Sequence, residues 1–413
     1  MKPLRIAFVW HMHQPYYKDD LTATYLLPWV RLRSSKDYFR MAAILDGYPS
    51  IRQTYNLVPS LLAQIEDYVS GDYQDLFLNL SRRPAGDLNP DERRFLLKWM
   101  RESPRFPRVQ ASQRYLQLAS RPETEVFTTE DLRDLQVWFN LAWCDPQWVD
   151  TDPKLSALKA KDRHFSEEEK HSLLDLQLGM MSKVIPKYRE LADRGQIELT
   201  FSPYHHPILP LLCHSDTART AIPDIALPDP RFSHQEDADR QIELGKAACE
   251  RLLGRQPQGM WPSELAVGES VARLAVRSGI SWFLADEDVL ARSLDVHLGR
   301  DGDGCPHQPD LLYTPYTMDR EGGQVGVVFR DGALSNLIGF DYQRMHAIEA
   351  VRDFMGRLHR IRDSQGDRDF LVTIALDGEN PWDFYARDGH DFLNTLYTEL
   401  EKDDSIITTT ISD

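Results

Sequence analysis

Two spacings of apolar positions alternate along this chain. Leu4 to Trp10 is a short run rich in β-formers, Ile6-Ala7-Phe8-Val9-Trp10 at its centre, which predicts a strand buried on both faces, as in a parallel sheet. Strand-like runs recur at Ile197–Ser202, Gly259–Trp261, Ser281–Ala285, Leu311–Tyr316, Val325–Phe329, Leu371–Leu376 and Ile406–Thr410. Helical spacing falls between them, at Ser60–Ser70 with Ser60 as its cap, at Gly268–Ser278 and at Tyr342–Arg362. Strands that alternate with helices predict an α/β fold, either a parallel barrel or a doubly wound sheet. Residues 73–192 carry no convincing strand. They hold helical patterns at Arg93–Met100, Glu130–Trp143 and Ser166–Asp193, the last opening on the capping-box pattern Ser166-x-x-Glu169. Such a block reads as an insertion covering the site, and its connector with Pro104 and Pro107 suits a mobile lid.

Four polar clusters each follow a strand-like run: His11-Met12-His13-Gln14-Pro15, Ser202-Pro203-Tyr204-His205-His206-Pro207, Trp261-Pro262-Ser263-Glu264 and Asp377-Gly378-Glu379-Asn380-Pro381-Trp382. In a parallel sheet the C-terminal strand ends share one face, so clusters distant in sequence converge there. A carboxylate at the end of the apolar run Phe370–Leu376 is costly unless bonded or functional, which singles out Asp377; a turn aspartate is the plainer alternative. Glu264 beside Trp261 is the second candidate, and it also suits a carboxylate that opens a helix toward Ala272. Two carboxyls from separate strands across one cleft suit glycosidic bond cleavage, one attacking or stabilising the anomeric carbon and the other protonating the leaving oxygen. Aromatic side chains in and beside the clusters (Trp10, Tyr16, Tyr204, Trp261, Trp382) offer faces to sugar C–H groups, and histidines grip hydroxyls. His11, His13, His205, His206 and Asp377 allow a metal centre as another reading, although no H-E-x-x-H or H-x-D motif occurs.

Composition narrows this further. The chain has 413 residues, 42% of them apolar, enough for a large core, and a net charge of −16, which repels nucleic acid and anionic lipid. Its four cysteines lie far apart and read as free thiols in a reducing compartment, and no apolar stretch is long enough to span a membrane, so a cytoplasmic protein is expected. No G-x-S-x-G elbow, phosphate-binding loop or dinucleotide fingerprint is present.

The clusters together resemble glycoside hydrolase family 57. His11–Pro15 resembles the family's first region, and Gly195–Thr200 the second, with His206–Leu211 after it. Trp261–Glu264 resembles the third and Leu376–Asn380 the fourth. The resemblance implies a distorted (β/α)7 barrel and a retaining mechanism on α-glucosidic bonds, with an α-glucan or maltooligosaccharide as substrate. Glu264 matches the nucleophile and Asp377 the acid/base, while His11, His13, Glu198, His206 and Trp261 match positions that shape the donor-sugar subsite. Gln14, Tyr204, Glu379 and Trp382 join them as expected substrate contacts. No cofactor and no metal are implied at the reacting centre. Family members include α-amylases, amylopullulanases, glucanotransferases and branching enzymes, and relatives continue into a C-terminal helical domain that is expected to be absent here. A carbohydrate-binding protein without turnover and a metal-dependent hydrolase stay open as alternatives, and oligomeric state is not legible.

Overall fold

The computed structural model describes residues 2–71, 73–101, 112–122 and 125–413. Among them seven parallel strands build the barrel: β1 (Leu4–Met12), β2 (Gln53–Leu57), β3 (Ile197–Thr200), β4 (Gly259–Met260), β5 (Trp282–Asp286), β6 (Gly323–Arg330) and β7 (Leu371–Asp377). Hydrogen-bonded neighbours run β3-β2-β1-β7-β6-β5-β4. A bridge between Phe201 and Met260, with Trp261 N–H donating to the Phe201 carbonyl at 2.8 Å, brings β3 to β4 and closes the ring. The strands therefore stand around the barrel in chain order. Helices cross between them, including Gln235–Leu253 from β3 to β4, Glu269–Arg277 from β4 to β5 and Ala347–Gln365 from β6 to β7. This is a distorted (β/α)7 barrel.

The distortion has a local cause. β6 meets β7 at a single register pair, Arg330 opposite Thr373. Above it the ladder parts, and side chains take over: Arg330 Nε donates to the Ala375 carbonyl (2.7 Å) and Ser335 Oγ accepts from Ala375 N–H (3.0 Å). The backbone groups at the seam stay paired while the strands separate.

β1 is buried along nearly its whole length because one face meets the helices and the other the barrel interior, filled by Val9, Trp261, Trp282, Leu284, Val328 and Ala375. β2 carries no strand signal in the sequence, since Gln53-Thr54-Tyr55-Asn56-Leu57 is mostly polar, yet all five residues are buried. Its polar side chains are bonded to the neighbouring strand β1: Gln53 Oε1 accepts from Trp10 Nε1 (2.9 Å), and Asn56 Oδ1 lies 2.6 Å from His11 Nδ1. The expected strand Leu311–Tyr316 is instead a helical turn, Pro309–Leu312, followed by Tyr316–Arg320, an antiparallel partner of β6. Pro309 and Pro315 confine regular pairing to the residues after them. Ile406–Thr408 pairs with the first residues of β1, below β2. Ser60 does not cap its helix: the helix begins at Pro59 after Val58, with no side-chain cap.

The helical block is present, and its Ser166–Glu169 capping box forms as expected. It has its own core, with Phe77, Leu96, Tyr115, Leu135, Phe139 and Leu173 among its members. It is joined to the barrel through fully buried Arg31, which pairs with Asp75 (3.2 Å) and donates to Asn140 (2.8 Å) and Gln177 (2.9 Å). The block flanks the barrel, and none of its described residues lines the cleft below. The Pro104–Pro107 connector lies outside the described residues. The four cysteines are free. Among the described residues no helix is long and apolar enough to cross a membrane.

Candidate active site

Strand register sets the site. His11 pairs with Asn56 on β2 and with Asp377 on β7, and Asn56 pairs with Thr200 on β3. Four polar residues thus stand at one height at the C-terminal end of the barrel, where side chains from neighbouring parallel strands point together. Gly378 N–H donates to the His11 carbonyl (2.8 Å), which ends β7 and turns the chain away just after Asp377.

His11, His13, His206 and Trp261 gather on one side. The His11 ring stacks on Trp261 with centroids 4.5 Å apart and an interplanar angle of 12°, and His206 lies 4.8 Å from His11 and 4.3 Å from His13. Burial holds His13 down to about 3, with His206 adding to the effect, and burial likewise lowers His11. Both are neutral at physiological pH, which gives each a donor and an acceptor nitrogen. His13 Nδ1 and both His206 ring nitrogens are buried with no hydrogen-bond partner. Unpaired buried polar atoms cost roughly 1–3 kcal/mol each, so three of them at one strand-end cluster mark a place built for a polar ligand.

Glu264 extends from this group. The alternative of a carboxylate that opens a helix is not met: the helix runs Glu269–Arg277, within the expected Gly268–Ser278, and Glu264 and Leu265 sit in a tight turn before it with φ of 54° and 53°. His206 has a positive φ as well, 57°. Left-handed backbone at bulky residues costs on the order of 1–3 kcal/mol each and is retained where it aims a functional side chain. Here it leaves the Glu264 side chain 74% exposed, with Oε1 3.7 Å from His206 Nε2. The His206 ring holds the Glu264 carboxyl below the usual range, outweighing partial burial.

Asp377 faces the same cleft in a different environment. Burial raises it, the Glu264 charge adds to the rise, and Asn380 Nδ2 opposes both by donating to Oδ2 at 2.9 Å. Behind it Glu379 is fully buried and pushed well above the carboxylate range by burial and by Asp377. Glu379 Oε1 accepts from His13 N–H (3.2 Å), and its Oε2 has no hydrogen-bond partner. Arg33 supports this turn from below, bonding Asp383 (2.7 Å), Asn380 (3.2 Å) and the Glu379 carbonyl (3.3 Å).

The cleft measures about 550 Å³ and is lined by Trp261, Glu264 and Asp377 together with Asp286, Arg330, Asn380 and further residues of the loops after β6 and β7. Three expected site residues therefore line it, and the three histidines adjoin it across Trp261 and Glu264. Others lie elsewhere. Trp382 is completely buried, packing 5.8 Å from Trp10 and donating to the Gly378 carbonyl (2.8 Å), so it supports the turn from behind and is out of reach of a ligand. Glu198 sits one layer deeper in the barrel, beside Thr54, accepting from Trp282 Nε1 (3.2 Å) and from Ser412 N–H (3.1 Å). Gln14 is buried, and its Oε1 accepts from Tyr17 Oη (2.9 Å). The Tyr204 ring lies against His205, 4.7 Å away, and does not line the cleft. His205 is exposed and leans on Tyr16, apart from the other histidines, and among the described residues no three His, Cys, Asp or Glu converge as metal ligands.

Sequence reasoning missed Asn56, Asp286 and Arg330. The last two end β5 and β6, one residue past the runs Ser281–Ala285 and Val325–Phe329, and pair with each other at 3.0 Å. The strand-end signal that flagged the four clusters applies to both. Asn56 gave no signal, because its strand does not read as one.

The fold resembles that of several solved structures, each matched over 100% of this chain. The branching enzyme of Pyrococcus horikoshii superposes with a TM-score of 0.57 at 16% identity over 69% of its own length. The alpha-amylase of Thermotoga maritima gives 0.56 at 14% over 74%, and the 4-alpha-glucanotransferase of Thermococcus litoralis gives 0.52 at 15% over 40%. No curated protein matches by sequence comparison. The model of glycosyl hydrolase family 57 matches residues 7–413, and with strand-end carboxylates on a seven-stranded barrel already in view, the chain belongs to that family.

Proposed function

We propose that this enzyme cleaves or transfers α-glucosidic bonds of α-glucans with retention of configuration, with Glu264 as nucleophile and Asp377 as general acid/base. The observation that carries the reading is the opposite tuning of two carboxyls lining one cleft: Glu264 is lowered beside His206, and Asp377 is raised by burial. A lowered carboxyl is ionised and ready to attack, and a raised one keeps a proton to give, the division of labour that paired carboxylates need. The α-glucan substrate class is supported by the alpha-amylase, branching enzyme and glucanotransferase that share the fold.

In the first step a Glu264 oxygen attacks the anomeric carbon, the C1–O bond breaks, and Asp377 passes its proton to the leaving oxygen. In the second, water or a sugar hydroxyl attacks C1, gives its proton to Asp377 and displaces Glu264. The unpaired nitrogens of His13 and His206 offer hydrogen bonds to hydroxyls of the glucosyl unit in transit.

Incubation with 5-fluoro-α-glucosyl fluoride, followed by proteolysis and mass spectrometry, is expected to label the peptide containing Glu264. Label on another residue of an active preparation overturns the assignment. Glu264→Gln is expected to lower kcat/KM by roughly 10³-fold or more, because a lost covalent nucleophile leaves only binding and electrostatic stabilisation. Product chromatography after incubation with maltooligosaccharides separates the acceptors: shorter sugars alone mean water, a ladder of longer ones means a sugar hydroxyl.

A further inference from the structure

The cleft is lopsided. Its lining holds Glu264 and Asp377 but none of the three histidines, and from the two carboxyls it runs toward the loops after β6 and β7. Two large apolar side chains in that direction are partly exposed: Phe340 by 65% and Phe384 by 53%. Each belongs to the segment that follows a strand, β6 for Phe340 and β7 for Phe384. Phe340 belongs to the π-helical turn Leu337–Asp341, and Phe384 to the 3-10 turn Asn380–Phe384 that begins three residues after Asp377. The two turns pack against each other. Single exposed apolar residues are ordinary, but two aromatic rings on adjoining turns that line a catalytic cleft are a ligand-facing surface. Hydrogen-bonding groups border them. Gln343 donates to the Phe340 carbonyl (2.6 Å) and keeps a buried Oε1 with no hydrogen-bond partner, and Asn380 and the Asp286–Arg330 pair complete the wall. Apolar faces beside polar edges match a pyranose, whose C–H groups and hydroxyls lie on different faces.

We propose that Phe340 and Phe384 form the platform that binds glucose units on the leaving-group and acceptor side of the scissile bond, and so determine which chains accept the transferred glucosyl unit. This rests on the reading above, because it takes Asp377 as the group that protonates the leaving oxygen. The sugar carrying that oxygen then lies on the Asp377 side of the cleft, where Phe384 and Phe340 are. The transferred glucosyl unit occupies the histidine side.

The test compares two substrates. In α-maltotriosyl fluoride the leaving group is fluoride, so no sugar sits on the platform; maltohexaose places glucose units there. Phe340→Ala and Phe384→Ala are each expected to lose about tenfold more kcat/KM on maltohexaose than on the fluoride, and Phe340→Tyr, which keeps the ring, is expected to restore the ratio. The KM for added maltose as acceptor is expected to rise in the same two alanine variants. Equal losses on both substrates overturn the platform while leaving the functional reading intact. Equal losses accompanied by a change in oligomeric state by light scattering assign the rings to contact with a second copy, and overturn it too. If the parent enzyme turns over neither substrate, the functional reading falls and takes the platform with it.

Discussion

Asn380→Ala tests the control of Asp377 as the proposed acid/base. Asn380 Nδ2 donates to Asp377 Oδ2 at 2.9 Å, and this bond favours the charged carboxylate, whereas burial and the Glu264 charge favour the protonated one. Deleting the amide removes the downward influence and leaves both upward ones. The Asp377 pKa therefore rises. A hydrogen bond to a charged group is worth about 1.5–3 kcal/mol, and one pKa unit corresponds to about 1.4 kcal/mol, which sets a ceiling of roughly one to two units. Asn380 is exposed, so water takes part of its place, and an upward shift of about half a unit to one unit is expected. Under the proposed mechanism the acid form of Asp377 is needed for bond cleavage, so the alkaline limb of the kcat/KM profile should move to higher pH by that amount. The acidic limb, which the same mechanism assigns to ionisation of Glu264, should stay in place. The assay is initial rates on a maltooligosaccharide from pH 3 to pH 9. An alkaline limb that stays put or moves down refutes the assignment of that limb to Asp377.

Two further expectations concern stability, one at the joint between helical block and barrel and one behind the cleft. Arg31→Leu leaves the Asp75 carboxylate, fully buried like its partner, without its cation, and should lower unfolding free energy by about 3–5 kcal/mol in urea titration, since a stranded buried charge costs far more than an exposed pair contributes. Gly389→Ala drives a methyl group into Trp382 Cε3, with Cζ3 only 3.0 Å away, at a backbone φ of +79°, so steric clash and left-handed strain add; a loss of roughly 1–3 kcal/mol is expected from the same titration. An unchanged midpoint in either variant means that the neighbouring groups rearrange freely. Because Trp382 props the Gly378 carbonyl beside Asp377, Gly389→Ala should lower activity along with stability.

Local features were legible along the chain. An apolar run that ends in a proline, glycine or charged residue makes a buried strand with a polar end wherever it is packed, so β1 and β7 and their clusters were legible. So were the capping box at Ser166 and the carboxyls Glu264 and Asp377, because residue type and position at a strand end limit what those groups can do. Tertiary structure alone decided which way side chains point and which strands touch. Trp382 belongs to a strand-end cluster and Glu198 to the strand that leads into one, but they face the core and a deeper barrel layer, a consequence of turn geometry and of one step in a two-residue period. β2 stayed hidden because its buried polar side chains are paid for by partners 43 and 45 residues away, Trp10 and His11. The cleft itself goes with β6 and β7 parting above Arg330, a split bridged by the side chains of Arg330 and Ser335 on the β6 side, which bond the Ala375 backbone of β7, and no local pattern encodes it.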